Sequence, residues 1–159
     1  MIKVDKGLYY KDLEEKDKEV IYVSLRSQVK KSKWIAIAFE LSWKDYKNNK
    51  FKYDGATFVR ENNNEFWEVA SFIHDWLNII GYVGKGVDLY FIKIMLELRY
   101  PENIIFERCK WMQWTFLNVF KHKINGNFVS SDIPNFLKTK YFLFVFHLCH
   151  YYLKSQCSL

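Results

Sequence analysis

From Phe66 to Ile80 the apolar residues Phe66, Val69, Ala70, Ile73, Leu77 and Ile80 recur at steps of three and four. A helix of 3.6 residues per turn gathers such residues on one face, so the spacing predicts an amphipathic helix of about four turns. Two polar neighbours, His74 and Asp75, sit inside this run. Gly81 closes the helix, and Gly84 and Gly86 mark a short loop. A second helix is predicted over 86–99, apolar nearly all round (Leu89, Tyr90, Phe91, Ile92, Ile94, Met95, Leu96, Leu98), and therefore buried at the centre. The short loop predicts that these two helices form a central antiparallel hairpin. Pro101 opens a third helix over 102–122, with Ile105, Cys109, Met112, Phe116 and Phe120 on one face. Asn125-Gly126-Asn127 breaks the chain, and Ser131-Asp132-Ile133-Pro134 supplies a capping residue and an early proline for a fourth helix over 134–153.

Upstream the chemistry changes. Glu19 to Leu25 is rich in β-branched and aromatic residues, and within Trp34 to Leu41 the larger residues Ile35, Ile37, Phe39 and Leu41 alternate. Alternation of this kind predicts strands. A third short strand is expected at Phe51-Lys52-Tyr53, ending in the Asp54-Gly55 turn. The expected fold class is α+β and mainly helical: an N-terminal antiparallel β-hairpin or three-stranded sheet, then about four helices. At 159 residues the chain has the length of one domain, with a strand-rich part (1–60), a helical core (62–122) and a C-terminal aromatic helix (130–155).

Composition narrows the class. Fourteen Phe, eleven Tyr and six Trp predict a globular core rich in rings, and any surplus would serve an interface or a lipid-facing surface. The net charge of +6 lies partly in Lys30 to Lys33 and Lys44 to Lys52, which attracts phosphate-bearing surfaces. Lys30 to Lys33 beside Trp34 carries no helix-turn-helix, zinc-finger or RNA-binding signature, so nucleic acid is the weakest partner class. Three cysteines, Cys109, Cys149 and Cys157, lack C-x-x-C spacing and argue against a disulfide scaffold or a zinc site. The N-terminus shows no signal peptide, and Tyr141 to Cys149 is too short to span a bilayer, so a soluble protein is expected.

The chemistry-bearing residues lie between Asp54 and Asp88. Asp54-Gly55-Ala56-Thr57 is a tight turn, His74-Asp75 follows twenty residues later, and Asp88 opens the next helix. The expected helical hairpin brings Asp88 near His74, offset by about one turn. An imidazole held by a carboxylate has a fixed tautomer and raised basicity, as a base that activates water requires. Asp75, Asp54 and carbonyls of the Gly55 turn offer hard oxygen ligands, a set that suits Ca²⁺ better than Zn²⁺.

These same residues carry a resemblance. Phe51-Lys52-Tyr53-Asp54-Gly55-Ala56-Thr57-Phe58-Val59-Arg60, then Phe66 to Leu77 with His74-Asp75, then Val87-Asp88-Leu89-Tyr90-Phe91, resemble a family of small uncharacterised bacteriophage and prophage proteins. That family's pattern is a T-D-G/F-A-S-x-P-R turn, an A-x-x-H-D-Y-L-Y helix and an A-D-x-x-F helix, and the match covers about residues 34–120. The order of elements is similar, more distantly, to the phospholipase A2 superfamily. This implies His74 as general base and Asp88 as the carboxylate that holds it. Asp75, Asp54 and the Gly55 carbonyl would bind Ca²⁺, and the substrate would be a lipid ester. The chain departs from the pattern at Tyr53, Thr57, Val59, Ser71, Asn78 and Val87, and lacks the phospholipase disulfides and G-x-G loop. The resemblance implies a phage-encoded, calcium-dependent, phospholipase-A2-like hydrolase of host envelope lipid, or a degenerate copy. The alternative is a non-catalytic virion tail or neck protein, motivated by the aromatic fourth helix. Expected partners are an anionic lipid surface or other virion proteins, with synthesis in the host cytoplasm.

Overall fold

The computed structural model describes residues 7–29, 32–53 and 68–105. The chain divides into two compact units, Met1–Ile79 and Ile80–Leu159. In the first, a 3₁₀ turn (Tyr10–Asp12) precedes α1 (Glu15–Gln28), α2 (Lys33–Lys47) and α3 (Val69–Ile79). In the second, α4 spans Lys85–Glu97 and a further helical turn covers 102–105. No helix among the described residues is long and apolar enough to cross a membrane.

The expected N-terminal β-hairpin or three-stranded sheet is absent from the described residues. Glu19 to Leu25 belongs to α1 and Trp34 to Leu41 to α2. One antiparallel bridge joins Leu8 and Tyr53, in which Leu8 N–H donates to Tyr53 O (2.9 Å) and Tyr53 N–H to Leu8 O (3.0 Å). The physical reason lies in the period. The buried residues of α2 are Ile35, Ala38, Phe39, Ser42, Trp43 and Tyr46, at i, i+3, i+4, i+7, i+8 and i+11. That is a helical stripe. Ile37 and Leu41, which a strand would place beside Ile35, are instead 57% and 37% exposed. In α1 the buried Ile21 and Leu25, with Val29 just beyond, repeat at steps of four.

Both α2 and α4 end in the same way. Asn49 (φ 55°) and Arg99 (φ 57°) turn left-handed one residue past the cap. Lys50 N–H then bonds Asp45 O (3.1 Å), and Tyr100 N–H bonds Met95 O (2.9 Å). These are Schellman closures that satisfy the last carbonyls. Arg99, with its Cβ, holds a conformation usually left to glycine, immediately before Tyr100-Pro101.

In the first unit α3 packs on α2 and α1. Phe72 is fully buried, its ring centroid 5.3 Å from those of Tyr46, Phe51 and Tyr53, 5.8 Å from Trp43 and 6.2 Å from Phe39. The surplus of rings thus has a structural use here. In the second unit, Leu89 to Met95 is buried without a break, as expected of a helix apolar on every side. The rest of the third predicted helix, from 106, and the fourth lie outside the described residues.

Candidate functional site

α3 carries four polar residues, Ser71, His74, Asp75 and Asn78, in an otherwise apolar segment. Successive residues on a helix turn by 100°, so these four share a sector about 100° wide. The opposite side holds Phe72 and Trp76. The sector is recessed: Ser71 is buried, and the side chains of His74 and Asp75 retain 21% and 24% exposure. Other side chains fix the helix that carries it. The side-chain carbonyl of Gln28 accepts from the Val69 N–H (3.2 Å), and the Tyr53 hydroxyl accepts from the Glu68 N–H (3.2 Å). Trp76 Nε1 donates to Asp45 Oδ2 (2.9 Å), and Lys50 Nζ bonds Asp45 Oδ1 (2.7 Å). Burial alone would raise the Asp45 carboxyl, but these two hydrogen bonds and the charges of Lys50 and Lys44 together outweigh it and hold the group below its ordinary value.

Asn78 and Asp75 both lie near the His74 ring in this sector. The Asn78 Nδ2 lies 3.3 Å from His74 Nδ1, whereas the Asp75 Oδ1 lies 3.9 Å away, too far for a hydrogen bond. Helical side chains lean toward the N-terminus, which brings a residue back onto the one four places before it. With the amide nitrogen donating, Nδ1 accepts through its lone pair, and the neutral ring carries its proton on Nε2. The lone pair at Nδ1 is the basic atom of this arrangement.

The other expected residues are distributed as follows. Asp88 lies half-buried in the first turn of α4, in the second unit, where a carboxylate complements the positive end of the helix dipole. Asp54 and Gly55 lie outside the described residues. Among the described residues no three His, Cys, Asp or Glu side chains converge to hold a metal ion. Of the expected calcium ligands only Asp75 is therefore described, and its carboxylate is a donor of the right hardness.

One feature escaped the sequence reading. Between α1 and α2 runs an open groove of about 720 Å³, lined by Tyr10, by Glu15, Glu19 and Tyr22 of α1, and by Trp43, Lys44 and Lys47 of α2. Reading both segments as strands hid it, because only helical spacing brings Glu15, Glu19 and Tyr22 onto one side. No protein-family model matches the chain, and no curated protein or solved structure matches it either.

Proposed function

We propose that this chain is a calcium-dependent hydrolase of lipid esters, similar to phospholipase A2, encoded by a phage and directed at host envelope lipid. The observation that carries the reading is the recessed polar sector of α3, where His74 presents an accepting Nδ1 beside the Asp75 carboxylate. A helix needs no such sector to pack, since apolar residues there would bury more area. In the reaction, water displaces the Asn78 amide at Nδ1 and gives its proton to the ring. The hydroxide formed attacks the ester carbonyl, and the imidazolium returns the proton to the departing alkoxide. Asp75, with Asp54 and the Gly55 carbonyl, would hold Ca²⁺, which supplies positive charge for the carbonyl oxygen. Asp88 is the carboxylate that the resemblance assigns to orienting the histidine.

The test is fatty-acid release from phosphatidylglycerol vesicles. Release should require Ca²⁺, stop with EDTA, and fall at least a hundredfold in His74→Ala. Absence of release, or release that survives His74→Ala, overturns the reading.

A second reading, a non-catalytic virion assembly module, is favoured by one observation. Val20, Val23 and Ile37 are 67%, 56% and 57% exposed on the outward faces of α1 and α2. The same preparation decides between the two: a chain that releases no fatty acid yet forms defined oligomers by light scattering is the assembly module.

A further inference from the structure

Serines inside helices usually return their hydroxyl to a carbonyl one turn back. Two serines here do so: Ser42 Oγ donates to Phe39 O (2.8 Å) and Ser27 Oγ to Ser24 O (2.7 Å). Ser71 does not. It is 3% exposed, and its Oγ has no hydrogen-bond partner among the described residues. Ser32, also buried without a described partner, occupies the N-cap position of α2 and stands outside the α3 sector. A buried hydroxyl left unsatisfied costs stability, and an alanine at this place would carry no such cost. The position matters as much as the state. Ser71 precedes His74 by three residues and Asp75 by four, the spacings at which helical side chains are neighbours. Because side chains lean toward the N-terminus, the His74 ring inclines toward the level of Ser71.

We propose that the Ser71 hydroxyl is a binding group of the α3 site, donating its hydrogen bond to the carbonyl oxygen of an acyl ligand whose carbon faces the His74 water. The inference rests on the lipid-ester reading and adds to it a residue that neither the His-Asp pair nor the metal ligands supply. A hydroxyl held ready in a recessed place stabilises a carbonyl oxygen more strongly as negative charge develops on it. Ser71 therefore contributes to binding and to the rate.

The experiment measures binding of a phosphatidylglycerol analogue whose scissile ester is replaced by an amide, presented in mixed micelles with Ca²⁺, together with thermal unfolding. Wild type should bind the analogue, and Ser71→Ala should bind it about tenfold more weakly. The Ser71→Ala melting temperature should be equal to or above that of wild type, because an unsatisfied hydroxyl has gone. Equal affinity in the two proteins overturns the inference, as does absence of binding by wild type or weaker binding accompanied by a lowered melting temperature. Binding that depends on Ser71 without fatty-acid release from ester vesicles keeps this inference and refutes the hydrolase. Release that depends on His74 with Ser71→Ala binding unchanged does the reverse.

Discussion

Phe72 is the residue on which the first unit most depends, and truncating it gives the sharpest test of the packing. The ring is wholly buried and meets five other rings from α2 and the segment that follows it, at 5.3–6.2 Å between centroids. A buried Phe removes roughly 200 Å² from water, which at about 25 cal/mol per Å² sets an upper bound near 5 kcal/mol. Phe72→Ala keeps Cβ but leaves a cavity that rigid neighbouring rings fill poorly, so the expected loss is about 4 kcal/mol. A unit of this length has a total stability of roughly 4–12 kcal/mol, so the variant should lose about a third or more of it. Phe72→Leu keeps most of the volume but none of the ring pairing, and should lose about 1–2 kcal/mol. Urea unfolding followed by tryptophan fluorescence reads both, since Trp43 and Trp76 lie in this unit. A loss below about 2 kcal/mol for Phe72→Ala would refute the assignment of α3 to this aromatic cluster.

Two further outcomes follow from side-chain contacts. Asp45 has a folded pKa below its ordinary 3.8: burial raises it, but hydrogen bonds from Lys50 and Trp76 and the charges of Lys50 and Lys44 together outweigh burial. A depressed carboxylate pKa contributes stability that is present above the unfolded value and lost as pH falls through the folded one. The melting-temperature gap between wild type and Asp45→Asn should therefore be full at neutral pH and close as the pH drops below about 4; a gap independent of pH would contradict the assigned bonds. Gln28 binds the first N–H of α3 from another helix, so Gln28→Ala should cost about 1 kcal/mol by thermal unfolding, with Gln28→Glu recovering much of it.

How far the fold could be read from sequence depended on the length of each pattern. α4 follows the prediction over 86–99 closely, because an unbroken apolar run flanked by Gly84 and Pro101 admits few alternatives. Gly81, with φ 92°, stops α3 as its position implied. α1 and α2 carry strand-like chemistry over seven or eight residues, β-branched and aromatic in α1 and alternating in α2, yet both are helices. The buried stripe of α2 includes Ala38 and Ser42, small residues that a hydrophobic reading discounts but that let helices approach closely. Strand chemistry also needs a partner strand, and the Leu8–Tyr53 bridge involves neither of these two segments.

The site was legible at its centre and not at its edges. His74 and Asp75 stand out because ionisable residues interrupt an apolar period, and such interruptions cost stability unless something else retains them. Ser71 and Asn78 registered only as departures from a family pattern, where small or aromatic residues were expected. On the helix those departures are the neighbours of His74, one turn below and one turn above, and the Asn78 Nδ2 lies 3.3 Å from His74 Nδ1. Asn78→Ala frees Nδ1 from its amide donor, and the hydrolysis rate should respond more than the stability does. The half-buried amide holds one moderate hydrogen bond, worth about 1 kcal/mol, while the atom it covers is the one the reaction uses. If the rate is unchanged in Asn78→Ala while His74→Ala abolishes it, Nδ1 is not the basic atom and the proton is taken elsewhere on the ring.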